Sequence, residues 1–195
     1  TPRTLFPYTT LFRSLQIASE IEGHPDNISP ALFGGMAISL KDENVIFHQK
    51  ITVSDTIKFC AMIPDFKLST KEARAVLPQR IDYKDAVYNV SHSCLMVAAL
   101  SNGNNDLIKI ACKDKLHQIY RGDLIENYND IIQKSNSLNC LGSFLSGAGP
   151  TIMAIIKKDD NYFGTNIEPY LAQLSTKWSV KELNQDTVGA VVKNI

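Results

Sequence analysis

Hydrophobic and polar positions along the chain change their period several times, and each change predicts an element. Leu15, Ile17, Ala18 and Ile21 recur at helical spacing and predict a helix that runs to residue 22. A short helix over 28–33 should stop at Gly34. Residues 36–40 and 45–50 read as two strands around a turn at 41–44, with His48 on the solvent side. Residues 57–63 form a near-continuous apolar strand stopped by Pro64. Ser69 or Thr70 should cap a short helix containing Ala73, Arg74, Ala75 and Val76, with Pro78 beyond its end. The strongest helical pattern covers 83–100 and points Ala86, Val87, Val90, Cys94, Val97 and Ala98 inward, with Asn102-Gly103 as the stop. Residues 106–111 open a helix that reaches 116–121, and 129–135 is helical again. Residues 141–146 and 151–157 are strands on either side of a small-residue loop. An amphipathic helix over 161–173 and strands at 178–181 and 187–192 complete the pattern and close the sheet. Helices laid against an antiparallel sheet make this an α+β chain.

Composition narrows the class without changing that picture. The 195 residues suffice for one good core, or for one domain and part of another. A 44% hydrophobic content argues for a globular protein. Twenty basic and twenty acidic residues balance, and no long basic run exists, so nucleic acid is not an expected partner. No apolar run is long enough to span a membrane. Cys60, Cys94, Cys112 and Cys140 lack metal-binding spacing and read as free thiols, which fits a cytoplasmic location, as does the lack of a secretory signal pattern.

Residues 1–14 stand apart. They carry two prolines, lack helical periodicity and read as a non-native leader joined to the chain from Leu15 onward. The other reading is a divergent N-terminal strand.

The richest chemistry lies in 22–35, where Glu22, Gly23, His24, Pro25, Asp26 and Asn27 precede a Pro-Ala-Leu-Phe-Gly-Gly run. Pro25 fixes its own φ and pushes His24 towards extended backbone, so 24–27 should be a sharp preset corner. Asp26 or Asn27 would cap the helix at 28, and Pro30 suits its first turn. Polar groups on a turn at a helix start can bind a small polar ligand or can simply close a loop. A second stretch, Leu145-Ser146-Gly147-Ala148-Gly149-Pro150-Thr151, lets backbone N–H groups approach a ligand closely or serves as a tight strand connection.

Together these two motifs, with Ser69-Thr70-Lys71-Glu72-Ala73-Arg74 and Leu116-His117-Gln118-Ile119-Tyr120-Arg121 between them, resemble the homoserine branch of the GHMP small-molecule kinases. That family also includes galactokinase, mevalonate kinase and phosphomevalonate kinase. The resemblance runs from about residue 15 to near the C-terminus. It implies the end of a ribosomal S5 domain 2-like α/β domain over 15–55 and a ferredoxin-like GHMP kinase C-terminal domain over 56–195.

The implied activity is transfer of the ATP γ-phosphate to the hydroxyl of L-homoserine, giving O-phospho-L-homoserine in threonine biosynthesis. The resemblance assigns Asn27 to catalysis and substrate binding. It assigns Thr70, Arg74 and Arg121 to substrate binding, the two arginines to its carboxylate. Paired guanidinium N–H groups suit that carboxylate; the alternative for both arginines is a surface ion pair of little worth. His24 and Asp26 shape the corner. Ser146, Gly147, Ala148 and Gly149 match the family's third motif. ATP and Mg²⁺ are the implied cofactors, but the phosphate loop of the form P-x-x-x-G-L-G-S-S-A does not occur in this sequence. It is expected upstream of residue 15, so the chain by itself should be inactive. Neither Glu20 nor Glu22 matches the family's metal-binding glutamate, so no metal ligand is assigned. A homodimer is the assembly the family suggests. The rival reading is a non-catalytic ligand- or protein-binding module on the same fold.

Overall fold

The computed structural model describes residues 8–191, and the side chains from 11 onward. The reading of 1–14 lies outside those residues up to residue 7, and that of 187–192 does so at Val192. The chain divides into two compact units, one of 1–53 with 185–195 and one of 54–184.

In the first unit, α1 (Tyr8–Glu22) begins before Leu15, so residues 8–14 are helical and continuous with the helix expected over 15–22. Phe12 lies 5.5 Å from the ring of Phe33. Helix α2 (Ile28–Phe33) and the antiparallel strands β1 (Met36–Asp42) and β2 (Val45–Ile51) come in the expected order. The face of β2 is the reverse of the expected one. His48 turns towards α2, stacks on Phe33 at 4.2 Å and bonds Ser29 Oγ, while Val45 and Phe47 are exposed. Adjacent strand side chains point to opposite faces, so the ring contact that draws His48 in turns its neighbour out. Burial first and the Lys50 charge second lower the pKa of His48.

The paired glycines are explained by a close backbone crossing. Gly34 and Gly35 hold φ of 67° and 73°. A Cβ on Gly34 would lie 2.5 Å from Gly189 N and 2.7 Å from Val188 N. Gly35 N donates to Asp186 O at 2.6 Å, and Ala190 N to Leu32 O at 3.2 Å. Lys50 Nζ ties both segments, donating to Phe33 O at 2.7 Å and Thr187 O at 2.8 Å. Residues 187–191 therefore run beside this turn and form no strand, contrary to the expectation that they close the sheet.

The second unit holds a four-stranded antiparallel sheet in the order β4 (Gly142–Leu145), β5 (Ile152–Lys157), β3 (Ile57–Pro64), β6 (Trp178–Leu183). Cys60 and Met62 of β3 and Ile152, Ala154 and Ile156 of β5 share one face through their period of two. They pack with Tyr128, Ile131 and Leu138 around α7 (Tyr128–Ser137) and with Phe163, Ile167 and Leu171 of α8 (Phe163–Leu171). Phe163 and Ile167 are fully buried, and such side chains contribute about 1.5–3 kcal/mol each by leaving water. The α+β class is as expected, with both sheets antiparallel.

Ahead of these core helices comes α3 (Thr70–Ala75), started by a complete capping box. Ser69 Oγ accepts from Glu72 N, and Glu72 accepts from Ser69 N, both at 3.1 Å. Helix α4 (Tyr83–Asn102) ends on Gly103 in the left-handed conformation. Its orientation corrects the sequence expectation: Val87, Val90, Cys94 and Ala98 are exposed, while Ala99 and Leu100 are buried. The reason is polar. Asp85 and Asn89 turn inward to meet a turn at 112–117, where Lys115 Nζ reaches Asp85 Oδ1 at 2.9 Å and Lys115 N reaches Asn89 Oδ1 at 2.8 Å. That turn also interrupts the single helix expected across 106–121. A 3-10 turn at Asn105–Leu107 leads into α5 (Ile108–Ala111), and α6 (Gln118–Arg121) starts afresh.

Candidate functional site

The corner at 24–27 is built by backbone. Ser29 N donates to Pro25 O at 2.9 Å, so a carbonyl meets an N–H in the first turn of α2. Asn27 occupies the cap position without a side-chain cap bond, which corrects the capping role expected of this corner. Pro25 and Ser29 are buried, whereas His24, Asp26 and Asn27 are exposed, leaving the amide of Asn27 open to solvent.

In the second unit, Arg121 joins two segments far apart in sequence. Its Nε donates to Ala73 O in α3 at 3.0 Å, and Nη1 donates to Gly147 O in the 146–149 loop at 3.0 Å. Arg74, the residue after Ala73, is exposed, and its guanidinium makes no hydrogen bond or ion pair among the described residues. Burial first and the neighbouring Arg74 charge second hold the Arg121 pKa below its ordinary value, with Asp114 opposing. Two neighbouring like charges with N–H groups left over have the chemistry to receive an anion. Thr70 lies one turn before Arg74 on the same helix and is also exposed.

The loop itself is a tight turn. Gly149 N donates to Ser146 O and Ser146 N to Thr151 O, both at 2.9 Å. Gly147 and Gly149 hold φ of 55° and 84°, which side chains rarely adopt. The bond between Gly149 and Pro150 is cis.

Sequence reasoning missed the residues that hold Arg121 in place. Asp114 Oδ2 accepts from Gln118 N at 2.6 Å and His117 N at 2.8 Å, starting α6 as a side-chain cap does. Asn89 Nδ2 donates to its other oxygen at 2.5 Å. Burial of this carboxyl pushes its pKa up, but those three hydrogen bonds and the nearby His117 outweigh burial, and the net direction is down. Gln118 then ties α6 to the sheet. Its Oε1 accepts from Leu145 N at 2.9 Å and Tyr128 Oη at 3.0 Å, and its Nε2 donates to Cys112 O at 3.0 Å. Gly122 lies against the ring of Tyr128, where a Cβ would collide. Gln118 thus grips the residue that ends β4, and Arg121 grips the loop just beyond it. The available signal was an acid four residues ahead of a helical start, at Asp114-Lys-Leu-His-Gln118.

Residues 96–162 match the family described as GHMP kinases C terminal. The chain carries a GHMP kinase C-terminal domain. Similar curated proteins include a homoserine kinase of Clostridium botulinum, 54% identical over 180 residues, or 92% of this chain and 61% of that relative. A homoserine kinase of Clostridium beijerinckii is 48% identical over 178 residues, 91% of this chain and 60% of the relative. The chain therefore spans about 60% of the length of the curated relatives it matches. Among solved structures, homoserine kinase from Cytophaga hutchinsonii shares the fold with a TM-score of 0.79 at 24% identity, over 85% of this chain and 53% of that one. Mevalonate kinase from L. major, solved with R-mevalonate, has a TM-score of 0.57 at 15% identity, over 80% and 50% of the two chains.

In the second unit, Arg121, Arg74 and the 146–149 loop gather at one place, with Thr70 at the start of the helix that bears Arg74. Asn27, His24 and Asp26 belong to the other unit. Among the described residues, no group of three or more His, Cys, Asp and Glu side chains could hold a metal ion, and no helix is long and apolar enough to cross a membrane. All four cysteines are free, and burial, with Cys140 second, pushes the Cys112 thiol up to about 12, where it is a poor nucleophile.

Proposed function

We propose that this chain is the acceptor-binding part of a homoserine kinase, which transfers the γ-phosphoryl group of ATP to the side-chain hydroxyl of L-homoserine. The observation that carries the reading is the 54% identity to a homoserine kinase across 92% of the chain. The two guanidinium groups, near each other with no carboxylate bonded between them, support it chemically.

In this reading Arg74 supplies the free fork for the α-carboxylate of homoserine, and Arg121 supplies the N–H groups that remain after its two backbone contacts. Thr70 adds a hydroxyl on the same helix. Asn27 donates and accepts at the acceptor hydroxyl, and His24 and Asp26 shape the turn that presents it. The hydroxyl oxygen forms a bond to the γ-phosphorus as the bond to the β–γ bridging oxygen breaks. The hydroxyl proton leaves, and ADP and O-phospho-L-homoserine result. In the loop of Ser146, Gly147, Ala148 and Gly149, the N–H groups of Gly147 and Ala148 face the phosphate side, while those of Ser146 and Gly149 hold the turn through their bonds to Thr151 O and Ser146 O. Catalysis of this kind is mostly positioning and charge stabilisation. Mg²⁺ would come with ATP and neutralise its phosphate charge; among the described residues no group of three or more His, Cys, Asp and Glu side chains could hold it.

The test is an assay of ATP-dependent phosphorylation in a version extended to the length of the curated relatives, with homoserine, mevalonate and galactose as acceptors. Turnover of homoserine alone is expected. Turnover of another alcohol in preference, or of none, overturns the reading. The 195-residue chain lacks the phosphate-loop pattern and should give no detectable O-phosphohomoserine.

A further inference from the structure

Strand β2 grips helix α2 at both ends. Near its start, the His48 ring is hydrogen-bonded through Nδ1 to Ser29 Oγ. At its end, Lys50 Nζ donates to Phe33 O at 2.7 Å. His48 and Lys50 are two residues apart, so they lie on the same face of the strand. The His48 ring also stacks on Phe33 at 4.2 Å, so one imidazole touches both the first turn and the last residue of α2. Burial first and the Lys50 charge second hold its pKa below the ordinary value, and a neutral ring can accept from the Ser29 hydroxyl.

Ser29 carries this grip to the corner. It is fully buried, its N–H donates to Pro25 O at 2.9 Å, and its hydroxyl meets His48. Asn27 lies between Pro25 and Ser29, inside the turn that the first of these bonds closes, and Ala31 N donates to Asn27 O at 3.4 Å. The Asn27 side chain makes no cap bond, so the backbone of this turn sets the direction of its amide. A buried hydroxyl deprived of its partner loses its hydration without compensation, which keeps Ser29 where His48 is.

We propose that His48 is a positioning residue for phosphoryl transfer, holding Asn27 at the acceptor hydroxyl through Ser29 and the turn that Ser29 closes. The inference rests on the homoserine kinase reading, in which Asn27 meets that hydroxyl. His48 acts through Ser29 and not on the substrate. Transfer of this kind depends on the alignment of the reacting atoms, and a displacement of about 1 Å can cost about a hundredfold in rate. The carboxylate end of homoserine is assigned to Arg74 and Arg121, which belong to the other unit. Loosening Asn27 should therefore lower kcat and leave the KM values for homoserine and ATP nearly unchanged.

The experiment uses a version of the relatives' length, assayed with ATP and homoserine. Asn27→Ala should lower kcat. His48→Phe keeps a ring to stack on Phe33 but no nitrogen for Ser29, and should lower kcat about tenfold or more with both KM values nearly unchanged. Ser29→Ala removes the same bond from its other end and should match that loss, and the two changes together should be no slower than either alone. His48→Asn should restore most of the rate, because its amide reaches the place of Nδ1, whereas the amide of His48→Gln reaches the place of Nε2 and should not. In the Asn27→Ala background, His48→Phe should cost nothing further, because no amide is left to position. If His48→Phe fails to fold, Ser29→Ala on the two backgrounds carries the same test. Normal kcat in both His48→Phe and Ser29→Ala overturns the proposal. So does a loss that persists in full on Asn27→Ala, which marks a purely structural role. If Asn27→Ala itself keeps its kcat, or homoserine is not phosphorylated, the underlying reading fails and the positioning role falls with it.

Discussion

Arg121 holds Gly147 by its carbonyl, donating from Nη1 at 3.0 Å, and so fastens the small-residue loop to the helix that starts at Gln118. The same guanidinium reaches Ala73 O, one residue from Arg74. An arginine that the family resemblance assigns to the substrate carboxylate is thus also a brace between α3 and the loop.

The two arginines should therefore respond differently to substitution. Arg74→Lys keeps a charge at an exposed position and should weaken homoserine binding with the loop unchanged. Arg121→Lys cannot reproduce two contacts at two nitrogens, so it should also speed amide hydrogen exchange across 146–149. In a version of the relatives' length, Arg74→Ala and Arg121→Ala should each cost roughly 2–5 kcal/mol in kcat/KM for homoserine, with the ATP KM nearly unchanged. Near-normal kcat/KM for homoserine in both would return the arginines to surface positions. Unchanged exchange in Arg121→Lys would remove the brace.

Asp114 should make stability depend on pH. Its folded pKa lies below the ordinary carboxyl value, because the hydrogen bonds it accepts and the nearby His117 outweigh the opposing effect of burial. A depressed carboxyl pKa contributes stability that is present above the unfolded value, about 3.9, and is lost as pH falls through the folded value. Asp114→Ala removes the carboxylate that accepts from His117 N and Gln118 N at the start of α6 and, by analogy with a lost side-chain cap, should cost about 0.5–2 kcal/mol at pH 7. Denaturant melts of both proteins should show that difference shrinking below about pH 4. A difference that is constant from pH 7 to pH 3 would mean that the charge of Asp114 is not what stabilises the turn.

Gly34→Ala should loosen the first unit. Gly34 has φ of 67° and ψ of 171°, a region that essentially only glycine occupies, at a cost of about 1–3 kcal/mol for other residues. The added methyl would also meet the backbone at Gly189, which must move away. Faster amide exchange at Gly35 and Ala190, whose N–H groups bond across this crossing, is the expected readout. Retained protection at both would show that the crossing does not depend on glycine.

Local sequence determined much of this protein. The Ser69 cap, the stop at Gly103, the strand pair at 36–51 and the two strands around the 146–149 loop arise from short-range sterics, capping and periodicity, all within a few residues. The candidate residues Arg74 and Arg121 were also legible, because motif order survives in one dimension. What lay beyond reach was the choice of partner. Periodicity shows that α4 has an apolar side and β2 a polar one, but not which side meets the rest of the unit. Asp85 and Asn89 face inward because Lys115 and Asp114 wait there, some 25 to 30 residues later. His48 turns in because Phe33 offers a ring to stack on. The brace from Arg121 to Gly147 spans 26 residues, and that from Arg121 to Ala73 spans 48. Only the tertiary structure decided these, since a buried polar group is stable where its partner sits, and the partner's place is a property of the packed chain.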